Sequence, residues 1–115
     1  MRRGRLKGIA TQTLLAMTVL TAVKGTNDFL GHKETWYNLP MGRIVQQAQE
    51  QGYQAQYWER EDGVKMYGHF VIVAANFKTH PYGSVVDTSL GQGIVLDTGD
   101  FAKKSPTTID IAVNW

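Results

Sequence analysis

The chain has no cysteine among its 115 residues. That excludes a disulfide framework, a thiolate metal centre and thiol catalysis. Histidine is almost as scarce. His32, His69 and His80 stand at no metal-ligand spacing, and no HExxH arrangement occurs. No stripe of Arg and Lys interleaved with aromatics is present, which argues against a nucleic-acid surface. No glycine-rich phosphate loop and no nucleophile elbow occur, so no cofactor is expected. Nor is there an apolar run of the roughly 20 residues that a spanning helix needs. The formal charge of +2 gives no global basicity either. Arg2, Arg3, Arg5 and Lys7 supply it, and the remaining eight Lys and Arg face ten Asp and Glu.

What is present begins with order at the N-terminus. Basic residues 1–7 precede a moderately apolar stretch, Gly8 to Val23, diluted by Gln12 and four threonines. Charge followed by an apolar segment is the layout of an export signal. The expectation is a signal peptide or membrane-anchor segment over 1–25; an amphipathic helix packed on the domain is the alternative. Residues 26–33 are polar and turn-rich and read as a linker. A single domain then fills 34–115, enough chain for one core.

Within it, Glu34 to Tyr37 is β-prone and aromatic. Asn38-Leu39-Pro40 has the form of a helix entrance, with Asn38 as cap, followed by a short helix over Met41–Gln51 with Gly52 just past its end. Tyr53 to Glu59 fits no clear period. Phe70 to Ala75 is continuously apolar, as a strand buried on both faces would be. Ser84–Asp87, Gly93–Leu96 and Thr107–Val113 are further short strands between turn signals. Many short strands with one helix predict a mainly β fold, a small closed barrel.

Two acids end β-like runs: Asp97 in Asp97-Thr98-Gly99 and Asp110 in Ile109-Asp110-Ile111. Carboxylates brought close together discourage each other's ionisation, so one of them can serve as an acid near neutral pH. The period-2 alternation of a strand sends Asp110 to the face opposite Ile109 and Ile111. If those isoleucines fill the core, Asp110 looks into a cleft. The alternative is structural: Asp97 closing an Asx-type turn, and Asp110 hydrogen-bonded or at the surface.

The ordered series Ala74-Ala75-Asn76, Pro81-Tyr82-Gly83-Ser84, Asp97-Thr98-Gly99 and Ile109-Asp110-Ile111, opened by Thr35-Trp36-Tyr37, resembles the three-aspartate (3D) domain. That domain belongs to bacterial cell-wall proteins and is related to the membrane-bound lytic transglycosylase A family. The resemblance spans about residues 34–115. It implies a six-stranded double-psi β-barrel with one short inserted helix, acting in the cell envelope on peptidoglycan glycan strands. It implies Asp110 as the catalytic acid and Asp97 as its companion. Asn76, Thr98, Gly99 and Lys103 are then expected to contact substrate, Gly99 by close backbone approach or a positive φ. Asn76 stands where the first of the three aspartates is expected, and an amide cannot carry a proton for transfer. A non-catalytic glycan-binding barrel, or an accessory barrel of a phage or mobile element, therefore stands beside the lytic transglycosylase reading.

Overall fold

The apolar run Phe70–Ala74 becomes β5, the strand around which the computed structural model, described over residues 18–115, is organised. Val71 and Val73, with Ala75 just beyond the strand, pack into one apolar cluster with Val64, Val95, Ile109, Ile111 and Val113. Ile72 faces the other way, toward Met41, Ile44, Ala48, Ile94, Leu96 and Ala112. Alternation along one strand thus supplies two cores, one on each face of the sheet.

The remaining strands are β1 (Asn27–Phe29), β2 (His32–Tyr37), β3 (Tyr57–Glu59), β4 (Lys65–Tyr67), β6 (Val85–Thr88), β7 (Gly91–Asp97) and β8 (Ile109–Ala112). Two helices, α1 (Gly42–Glu50) and α2 (Phe101–Lys104), interrupt them. Beside β5 runs β7, parallel, from Val71↔Gly93 to Ala74↔Asp97. A strand has two edges, so the other is shared: β4 pairs antiparallel with Val71 and Phe70, and β8 with Val73 and Ala74. Next to β8 lies β2, parallel, and β1 closes that side as a hairpin.

The mainly β expectation holds, but the barrel does not close. Eight strands, not six, follow the path β1-β2-β8-β5-β4-β3, with β7 and β6 branching from β5. The physical reason is the shared edge of β5. With β4 and β8 side by side on it, the ladder forks instead of circling back. Strand β3 falls in the segment that sequence leaves open between extended chain and loop, and β4 was not anticipated, because their three-residue lengths carry too little periodicity.

The helix expected over Met41–Gln51 is α1. Its end is as read: Gly52 takes φ +94°, its N–H donates to Gln49 O, and Tyr53 N–H donates to Ala48 O, a complete Schellman closure. Its start differs. Met41 is the N-cap, with no side-chain cap bond. The Asn38 side chain instead accepts from Lys65 Nζ at 2.8 Å, and Leu39 O accepts from the same ammonium at 2.7 Å. A buried cation has taken the capping residue.

Residues 26–33 are not a linker. Asn27–Phe29 pairs with His32–Glu34 through a two-residue turn, Leu30 (φ 49°) and Gly31 (φ 86°), a geometry that suits the twist of a hairpin. Leu20, inside the expected leader, is 1% exposed in the core with Val71, Val73 and Ile109. Its N–H donates to Ser89 Oγ. The folded unit therefore starts before residue 26. The basic segment and the first part of the apolar stretch, 1–17, lie outside the described residues. Among the described residues no helix is long and apolar enough to cross a membrane.

Candidate active site

One irregularity in the sheet brings the two acids together. Along β5 and β7, Val73 pairs with Val95, but Ala74 pairs with Asp97, so Leu96 is an extra residue in β7. Unbroken alternation would send Asp97 to the face of Val95 and into that apolar cluster. The bulge turns it onto the face of Ile94 and Leu96 instead. Asp110 reaches the same face by ordinary alternation, because Ile109 and Ile111 both fill the opposite core. On that same face Thr35 pairs with Asp110, and Asp110 pairs with Ala74. The result is one row across four strands: Thr35, Asp110, Ala74, Asp97. Two strand spacings put the acidic Cα atoms about 10 Å apart. Ala74, between them, has only a methyl group to occupy the space.

Tyr37, two residues beyond Thr35 on β2, leans across this row. Its hydroxyl donates to Asp97 Oδ2 at 2.9 Å, and Thr98 N–H donates to Asp97 Oδ1 at 2.8 Å. Both carboxylate oxygens of Asp97 are thus acceptors. Among the described residues Asp110 receives a single donor, Thr35 Oγ1, at 2.8 Å. Its environment raises its pKa above the ordinary 3.8. Burial is the main cause, the Thr35 hydrogen bond opposes it in part, and the negative charge of Asp97 adds to the rise. Burial, with the charge and hydrogen bond of Asp97 and the charge of Asp110, also pushes the Tyr37 phenol up, so it stays a donor. The two carboxylates are therefore unlike: one held by two donors, one half-buried and biased toward its protonated form.

The other four expected residues gather nearby. Asn76, Thr98, Gly99 and Lys103, together with Phe77, Lys78, Asp100 and Ala102, line an open groove of about 750 Å³. It begins one to two residues past the row, roughly 3–7 Å along the strands. Neither Asp97 nor Asp110 lines it. The amide of Asn76 is engaged within the protein: Nδ2 donates to Ala102 O at 2.9 Å, and Oδ1 accepts from Lys78 N–H and Thr79 N–H. It fastens the turn after β5 to α2. Gly99 has no positive φ, which corrects that part of the expectation. A Cβ there would come 3.2 Å from the Phe101 ring, which would have to give by a few tenths of an ångström to admit it. Lys103 is exposed, and its contact with Asp100 at 3.9 Å is too solvated to count.

Sequence reasoning missed Tyr37 and Thr35 as partners of the acids. The signal was available in the i, i+2 spacing of Thr35 and Tyr37, which places both on one strand face. It also missed Glu34, 0% exposed, which accepts from Asn27 Nδ2, Ser89 N–H and Ser89 Oγ. That cluster lies on the opposite face and ties the hairpin to the β6–β7 turn. Among the described residues no three His, Asp or Glu side chains gather as a metal site would require.

Fold and site together define a small, mainly β protein with an asymmetric pair of carboxylates at the end of its central strand. No protein-family model matches the chain, nor does any curated protein or any solved structure.

Proposed function

We propose that this protein cleaves peptidoglycan glycan strands in the bacterial cell envelope by a lytic transglycosylase-like reaction. The observation that carries the reading is the row Thr35–Asp110–Ala74–Asp97, with the bulge at Leu96 turning Asp97 toward Asp110. Kinship with 3D-type double-psi barrels is part of the proposal. The parallel pairs β2/β8 and β5/β7 support it, although the hydrogen-bonded path stays open. Export rests on the basic-then-apolar order that opens the chain ahead of Leu20, which packs in the core.

In this reading Asp110, whose pKa its burial raises, gives its proton in its acid form to the oxygen linking N-acetylmuramic acid to N-acetylglucosamine as the C1–O bond breaks. The resulting carboxylate takes the proton of the muramoyl 6-hydroxyl as that oxygen bonds to C1. The acid is regenerated, a 1,6-anhydro product leaves, and no water is consumed. Asp97, held by Tyr37 and Thr98, stabilises positive charge developing on the sugar. Because the acid must be protonated, cleavage should fall as pH rises through the elevated pKa of Asp110.

Asp110→Asn should abolish release of anhydro-muropeptides from purified sacculi. Release at the wild-type level would remove Asp110 from the mechanism. A second reading, a glycan-binding protein without catalysis, is favoured by Asn76, whose amide is tied up in a turn where an acid is expected. Retention on insoluble peptidoglycan with no soluble product would select it.

A further inference from the structure

We infer that the groove beside the acid row is a subsite for a sugar ring bearing a free carboxylate, with Phe77 as its platform and Lys78 and Lys103 as its anion-binding rim. The inference builds on the glycan-cleaving reading and adds to it the charge of the ligand and the residues that sense it.

Three observations carry it. First, the groove wall is built in advance. Asn76 closes the 76–80 turn with its side chain, and Thr79 Oγ1 donates to Pro106 O, tying the turn to the approach of β8. A wall fixed from both sides costs little ordering when ligand arrives. Second, Phe77 is 41% exposed, yet its ring is anchored edge-to-face against Tyr82 with centroids 5.8 Å apart. An oriented, exposed aromatic ring at the mouth of a groove is suited to the apolar face of a pyranose. Third, the lining charges favour an anion. Among the described residues Lys78 has no carboxylate within ion-pair distance, and Lys103 has only the solvated contact with Asp100. With the Asn76 amide already engaged, the remaining side-chain donors of the lining are these two ammonium groups and the Thr98 hydroxyl. The lining thus holds two ammonium groups against the one exposed carboxylate of Asp100, so a neutral sugar leaves Lys78 without a counter-charge, whereas a carboxylate-bearing one supplies it.

The test uses the disaccharide N-acetylglucosaminyl-N-acetylmuramic acid with its lactyl carboxylate free, and the same disaccharide with that group converted to the primary amide. The bond proposed to be cleaved is absent from both, so the wild-type protein can be titrated directly. Amide NMR shifts report location and affinity. The acid form should bind about fivefold more tightly than the amide, a ratio set by two exposed charge contacts, and the preference should shrink as salt is raised. The shifts should centre on 76–78 and 98–103. Lys78→Ala with Lys103→Ala should equalise the two ligands, and Phe77→Ala should weaken both alike. Equal affinities in the wild type, no binding of either ligand, or shifts centred elsewhere would overturn the inference. Such a failure is separable from failure of the cleavage reading, which sacculus digestion reports independently.

Discussion

The half-buried setting of Asp110 costs stability at neutral pH. Its pKa in the folded protein is raised, chiefly by burial. Between the ordinary value of 3.8 and the raised one, the native state holds a proton that the unfolded chain has released. Stability therefore falls as pH rises through that window, and the penalty is constant above it. Asn at 110 has no such proton and still accepts from Thr35. Asp110→Asn should unfold at higher denaturant than the wild type at neutral pH and at the same denaturant below the carboxyl range. A wild type that is the more stable at neutral pH would show that Asp110 is not penalised there. Asn76 makes the opposite case. Its Nδ2 donates to Ala102 O, a bond that an ionised carboxylate cannot make. Asn76→Asp, which would restore the acid of the 3D pattern, should cost about 1–3 kcal/mol at neutral pH in urea unfolding. No loss of stability would show that the Asn76–Ala102 bond is dispensable.

At the scale of elements, what could be read from the chain depended on how local the determinant was. The buried strand at Phe70–Ala74 and the helix ending at Gly52 were legible because an apolar run and a Schellman glycine are written in adjacent residues. The fork at β5 was not, since it depends on which strands compete for one edge. Convergence of the acids was half legible. Asp110 followed from Ile109 and Ile111, whereas Asp97 needed a bulge that simple alternation forbids. The β1–β2 hairpin escaped notice because its turn is Leu30-Gly31 and not Asn-Gly. Leu30 holds φ 49° while 64% exposed, so neither backbone preference nor burial favours it. Asn tolerates this region far better. Leu30→Asn should raise stability by about 1 kcal/mol, read as a higher urea midpoint at unchanged slope. A lower midpoint would mean the leucine makes a contact that outweighs its backbone.

Across the whole molecule, the segment before the first hairpin is fastened by two systems that meet at Ser89. Leu20 fills the core formed by β5, β7 and β8, while its N–H donates to Ser89 Oγ, which in turn donates to buried Glu34. Asn27 completes the chain, donating to Glu34 and to Thr18 O and accepting from Lys24 Nζ. Leu20→Ala leaves a cavity among well-packed branched side chains and should cost about 2–5 kcal/mol. Glu34→Gln keeps the shape but places an NH2 among donors, and should cost about 1–3 kcal/mol. Their effects should not add. Once the segment has lifted from the sheet, the Ser89 hydroxyl is no longer held by Leu20, and the second substitution has less left to break. A double-mutant cycle on urea unfolding should give a coupling of about 0.5–3 kcal/mol. Strict additivity would mean that the hydrocarbon contact and the buried polar chain act as separate attachments, and that residues 18–27 do not lift as one unit.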